Sequence, residues 1–309
     1  MVAAEESFRA LNYVLSSTIT LMVYDWILSF SDEIKYIWAA AWSLPKVLYI
    51  VSRYYPVVYI TVQCYVHNST LTTSKRCSDY TWYHGFGGVI CILPPVSAIF
   101  TLRVCALYRN TWKVMVFVWF LWIAETVGEL VTTIRVTIGE HKGIITYGPG
   151  CLRISVGDPM LFLSELVAWT PALFGSLSLF ILTLHRLRYL FPKYIFNFKA
   201  NNPGVGENNR VLVSFVTDGT IYFFLVFVAT LLSMASDLSS ILVFFNEWWN
   251  PWFILIYSLS GSRLVLNLRR KAAKDSDSTT LVTSPGLQLE PLEYWRPSVN
   301  AKSMGEISN

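Results

Sequence analysis

Seven apolar stretches, each close to the ~20 residues that an α-helix needs to cross a bilayer, constrain this chain more than any other feature. They fall at roughly 11–30, 47–66, 83–107, 114–137, 160–184, 212–236 and 251–268. Hydrocarbon offers no water to backbone N–H and C=O groups, so repeated runs of this length point to helices that satisfy their own hydrogen bonds. Charged residues make up only 14% of the chain, against ~25% in soluble domains. Many Trp and Tyr residues sit at the ends of the runs, where their amphipathic rings favour the membrane interface. The expectation is an all-α integral membrane protein. A bundle of about seven transmembrane helices would occupy 1–271, and a disordered cytoplasmic tail 272–309. That tail is polar at Asp275–Thr280 and carries Pro285, Pro291 and Pro297.

The sixth run reads as able to continue through Ile241-Leu242-Val243-Phe244-Phe245. The seventh starts at Asn250-Pro251, since Pro suits a first helical turn. Pro94-Pro95 and Pro171 should bend the third and fifth helices. No internal repeat is visible, and an odd helix number argues against a simple inverted-repeat transporter. The N-terminus has Glu5 and Glu6 where a signal peptide would be basic, and Asp25 interrupts the first run. The first helix is therefore expected to act as its own insertion signal. Neither end carries a lipidation motif.

Orientation follows from Lys and Arg in the connections. With the N-terminus outside, the inner side holds fourteen of them and the outer side five. The expected arrangement has the N-terminus outside, the C-terminus in the cytoplasm, and the protein in the plasma membrane or another secretory-pathway membrane. The formal charge of +4 reads as topology, not as a nucleic-acid footprint. Three of the five cysteines (Cys64, Cys91, Cys105) fall inside apolar runs. The other two, Cys77 and Cys151, lie in outer connections on the oxidising side and are expected to form a disulfide. The sequon Asn68-Ser69-Thr70 makes Asn68 a possible glycosylation site, close to the membrane.

Ionisable residues at bilayer depth usually face the bundle interior. By depth along their helices, Asp25, Arg53 and Asp218 share an inner layer, with Arg103 and Arg263 near its rim. Asp25 is expected to pair with Arg53, as a static lock between helices or as a switch; the remaining option is Arg53 snorkelling to the headgroups. A second layer lies toward the outside. Glu125 and Glu129 share one helix face at i and i+4, and Glu165 lies at the level of Glu129. These carboxylates suit three roles: packing elements, a pocket for a cationic ligand or ion, or a proton path. Trp169 is placed either to wall such a pocket or to pack.

Part of the sequence carries a further pattern. It comprises Tyr24-Asp25-Trp26-Ile27-Leu28, Asp32-Glu33-Ile34, Trp38, Lys46 and Arg53-Tyr54. Further along stand Leu102-Arg103, Ala106-Leu107-Tyr108, Asp218-Gly219, Tyr222-Phe223, Ser262-Arg263-Leu264 and Asn267-Leu268-Arg269. This set, whose signature region is about 13–60, resembles a large family of fungal, chiefly basidiomycete, membrane proteins named only for a domain of unknown function. The resemblance implies a multi-helix, receptor-like membrane protein and implies no activity.

Chemistry-bearing motifs do not emerge. Gly85-Phe86-Gly87-Gly88 lacks the lysine of a P-loop and reads as a place for close helix contact. His67, His84, His141 and His185 have no metal-ligand spacing. There is no nucleophile elbow, and no lysine in the last helix for a Schiff base. The expectation is no catalytic residue, no metal and no cofactor. The favoured reading is a non-enzymatic, receptor-like sensor whose partners are the bilayer and an unknown extracellular ligand or cytoplasmic effector. The alternatives are a transporter or channel using the intramembrane carboxylates, or a structural membrane protein.

Overall fold

The computed structural model describes residues 2–69, 74–108, 111–141, 159–190, 207–238 and 243–279. Among them every regular element is helical: α1 (Val2–Glu33), α2 (Leu44–Asn68), α3 (Ser74–Tyr83), α4 (Cys91–Leu107), α5 (Trp112–His141), α6 (Pro159–Leu190), α7 (Glu207–Leu238) and α8 (Val243–Thr279). Two π-helical segments complete the set, Ile34–Trp38 after α1 and His84–Ile90 between α3 and α4. The second joins α3 to α4 without a break, so the described residues form seven helical rods.

The rods outrun the apolar stretches that announce them. Neither Gly nor Pro occurs before Pro45, so α1 does not stop near residue 30 but continues through Ser31-Asp32-Glu33. It widens into the π turn, which ends at Trp38, and after a short connection Ser43, extended at φ −152° and ψ 157°, leads into Leu44-Pro45 of α2. The start of the last rod is corrected. α7 ends at Leu238, and Phe244 and Phe245 belong to α8 instead. Pro251 lies inside α8 rather than at its start. At its far end α8 runs to Thr279, past the expected start of the tail at 272; residues 280–309 lie outside the described residues. The chain divides into two compact units, Met1–Ala272 and Ala273–Asn309. The first of these holds everything discussed below.

Five rods contain stretches long and apolar enough to cross a membrane: Arg9–Trp38, Lys75–Leu107, Trp112–Ile138, Val167–Arg186 and Gly219–Ser236. α1 shows how such a rod is built. Leu11, Leu15, Thr18, Met22, Asp25, Ser29 and Glu33 are buried, and steps of three and four residues put them on one face. Leu21, Tyr24, Ile27, Leu28 and Phe30 are exposed on the others, as lipid-facing side chains would be.

α2 and α8 fall short of the same hydropathy, and packing explains why. From Pro251 to Arg269, α8 has no exposed residue. It touches α1 through Arg263 and Asp25, and α2 where the Ser258 hydroxyl donates to the Ser52 carbonyl at 2.8 Å. It meets α4 at Gly261 against Val96, and α6 through Phe253 and Trp169, whose rings are 5.7 Å apart. With α7 it shares a 2.8 Å hydrogen bond between Tyr257 and Thr230. A helix shielded by five neighbours is spared the cost of facing lipid and can carry Ser258, Ser260, Ser262 and Arg263. Trp169 is thus a packing residue against α8.

Candidate functional site

The inner polar layer is assembled by three helices. α1 presents Asp25, Ser29 and Glu33 at successive i+4 positions, one above another on its buried face. α2 brings Arg53, 1% exposed, into their midst. Its Nη1 hydrogen-bonds Asp25 Oδ2 and reaches Ser262 Oγ of α8 at 3.3 Å. Its Nη2 bonds the Ser29 hydroxyl and the Asp25 carbonyl at 3.2 Å. Its Nε lies 2.7 Å from Glu33 Oε1. The N–H is not aimed along that contact, which makes it an ion pair rather than a hydrogen bond. The second Glu33 oxygen accepts from the Tyr54 hydroxyl at 2.8 Å.

α8 closes the layer. Arg263 Nε donates to Asp25 Oδ1 at 2.8 Å, and its Nη2 bonds the same oxygen. Two carboxylates therefore face two guanidinium groups, and the cluster balances its formal charge at a depth where isolated charges are expensive. Around the inner ends the ties continue. Lys46, 3% exposed, folds its ammonium onto the Trp38 and Ala40 carbonyls at 3.1 and 2.6 Å, which satisfies acceptors that the end of a helix leaves open. Arg269 donates to the Tyr36 carbonyl at 3.1 Å, and Arg270 pairs with Asp32 at 3.4 Å.

The structure thus brings Asp25 and Arg53 together and places Arg103 elsewhere. The Arg103 guanidinium lies against Gly219 of α7 and 5.8 Å from the Phe223 ring. There it lines a small cleft with Tyr222, Leu264 and Asn267. The Asp218 side chain lies outside the described residues. Sequence reasoning missed Glu33, assigned to a connection, and gave Arg263 only a place at the rim. The signal was present: Asp25, Ser29 and Glu33 keep helical spacing through a segment with no breaker.

In the outer layer Glu125 and Glu129 are 6% and 3% exposed, on the α5 face that also buries Val118, Leu121 and Thr132. Glu125 accepts a hydrogen bond from Ser97 of α4 at 2.9 Å. Both Glu129 carboxylate oxygens are buried without a hydrogen-bond partner. A cavity beside Glu125 is lined by Ser97, Phe100, Ser176, Val226 and Tyr257. The space open to a water centre is about 10 Å³, about one water molecule. The side chain of Glu165 lies outside the described residues. Among the described residues no group of three or more His, Cys, Asp or Glu could hold a metal ion.

Cys77 is buried and disulfide-bonded, whereas Cys64, Cys91 and Cys105 are free thiols. The expected partner, Cys151, lies outside the described residues. Asn68 is exposed at the end of α2. Its amide shares hydrogen bonds with that of Asn12 on α1, 3.1 Å in one direction and 3.4 Å in the other.

Among the described residues every regular element is helical and five helices are fit to cross a membrane, which is consistent with a polytopic membrane protein. Residues 13–58 match the model of a family of unknown function (DUF6533). That segment contains Asp25, Ser29, Glu33, Lys46, Arg53 and Tyr54, which is the α1–α2 half of the inner layer. A search of curated proteins finds none that matches the chain.

Proposed function

We propose that this protein is a seven-helix, receptor-like sensor without catalytic activity, with its N-terminus outside and its C-terminus in the cytoplasm, in the plasma membrane or another secretory-pathway membrane. The reading includes membership of the fungal, chiefly basidiomycete, family that the sequence resembles. Its partners are the lipid bilayer and an unknown extracellular ligand or cytoplasmic effector. The observation that carries it is the way α8 joins the inner layer. Arg263 is one-third exposed and shares Asp25 with the fully buried Arg53. If α8 slides or rotates, Arg263 can leave for the headgroups while Arg53 still holds Asp25 and Glu33. Both acids keep one ion pair but one positive charge is lost, so the layer has two arrangements of different charge balance that differ in where α8 stands, which is what a ligand could bias. The uncompensated Glu125 and Glu129 favour the second reading, a transporter or channel.

The test is a distance measurement across that contact. Spin labels at Ser31→Cys and Ala272→Cys, in a background with Cys64, Cys91 and Cys105 replaced by Ala, would report the α1–α8 separation in nanodiscs. Amines, sterols, short peptides and metal ions would be added in turn. The sensor reading expects at least one class to shift the distance distribution, and expects Arg263→Ala to shift it without ligand. One fixed distribution throughout, together with uptake of a compound by proteoliposomes, would replace the sensor with a transporter.

A further inference from the structure

The two polar layers differ in one respect that has chemical consequences. At the inner layer two acids meet two bases. At the outer layer two acids meet none. Glu125 receives a hydrogen bond from Ser97, and Glu129 receives nothing. The polar groups that line the cavity beside Glu125 from other helices are hydroxyls, Ser97 of α4, Ser176 of α6 and Tyr257 of α8 with its partner Thr230 of α7, among apolar Phe100, Leu179, Phe223 and Val226. Among the described residues neither glutamate has a Lys, Arg or His partner, and the one titratable group facing them from another element is Tyr257. Two carboxylates with less than a tenth of their surface exposed, one helical turn apart on the same face, cannot both stay charged without a counter-ion in a low-dielectric setting.

We propose that Glu125 and Glu129 form a binding site for an exchangeable monovalent cation, H⁺ or Na⁺. Two independent observations point to an occupant. One is Glu129, buried with both oxygens unpartnered. The other is the cavity against Glu125, which has room for one water-sized guest and counts Ser97, Ser176 and Tyr257 among its lining residues. Oxygen ligands of this kind suit a hard ion. With only two carboxylates and no third acidic, His or Cys side chain among the described residues, the site favours a single positive charge over a transition metal. When H⁺ is the occupant, the proton sits on a carboxylate oxygen and the acid can then donate to its neighbour. When Na⁺ is the occupant, the hydroxyl oxygens and a carboxylate surround it. The proposal does not depend on whether the protein senses or transports.

The experiment is thermal unfolding of the full chain in nanodiscs, over a grid of pH and of Na⁺ replaced by choline at constant ionic strength. Wild type is compared with Glu125→Gln, Glu129→Gln and the double variant. If Na⁺ occupies the site, each tenfold rise in Na⁺ above the dissociation constant raises the folded-to-unfolded ratio about tenfold, and the double variant loses that response. If H⁺ occupies it, the folded chain binds more protons than the unfolded chain. Stability then falls as pH rises, whatever the Na⁺ level, and the double variant flattens the slope. Wild type insensitive to both, or variants that keep the full wild-type response, would overturn the proposal. Should the double variant fail to fold, infrared spectra of wild type alone decide. A carbonyl stretch of a buried protonated acid, or displacement of bound radioactive Na⁺ by unlabelled Na⁺, upholds the site, and the lack of both removes it.

Discussion

At the scale of single residues, Arg53 is the most heavily used side chain in the inner layer. It serves two acids, two hydroxyls and a carbonyl while 1% exposed. Removing one partner of a buried ion pair costs about 3–5 kcal/mol, because the other charge is left uncompensated. Arg53→Ala should therefore lower the melting temperature sharply in detergent. Asp25→Asn combined with Arg53→Ala should recover part of the loss, and a double-mutant cycle measures the coupling; purely additive effects would argue against a working pair. Arg263→Ala should cost less, since its side chain is one-third exposed and solvent screens it. Tyr54→Phe removes one charge-assisted hydrogen bond and should cost about 1.5–3 kcal/mol, read from the same unfolding curves. The Asp25–Arg53 contact was legible in the sequence because both residues sit deep in apolar runs and each needs an opposite charge. Glu33 was not, because a carboxylate at the edge of an apolar run looks the same whether the helix stops there or continues. Nor does sequence distinguish a carboxylate that meets a base, such as Asp25, from one that meets none, such as Glu129; only tertiary packing supplies that.

At the scale of elements, each apolar stretch falls within a helical rod of the described residues, and five of the rods are fit to cross a membrane, but the stretches are shorter than the rods. Hydropathy falls where charges begin, whereas a helix ends where its backbone finds a breaker or a cap. The join between α1 and α2 is of the second kind, held by the Lys46 ammonium on two carbonyls. Lys46→Met should leave those acceptors open. Hydrogen exchange is expected to speed up over residues 34–43 well before the rest of the bundle responds; uniform acceleration would mean that Lys46 supports the whole fold instead. Close approach adds a second element-level constraint. A methyl on Gly88 would lie 2.8 Å from the Tyr59 ring carbon Cζ, closer than side chains pack. Gly88→Ala should push α2 from the π segment at about 1–3 kcal/mol, measurable as a lower melting temperature that Tyr59→Leu, made in addition, partly restores.

At the scale of the whole molecule, the disulfide at Cys77 is open to a direct check. Digests compared with and without reductant should differ by one linked peptide pair containing Cys77, and identical maps would exclude the bond. Helix number and outer or inner sidedness were read from length and charge bias, but neither quantity says which rod stands at the centre. That place belongs to α8, and its position in the chain gives the fact a further meaning. Helices leave the ribosome in order, so α1 and α2 are made long before the last helix that packs against them. Until Arg263 arrives, their shared layer holds two acids and one base. The last helix to be made thus carries the base that brings the first pair's layer into charge balance.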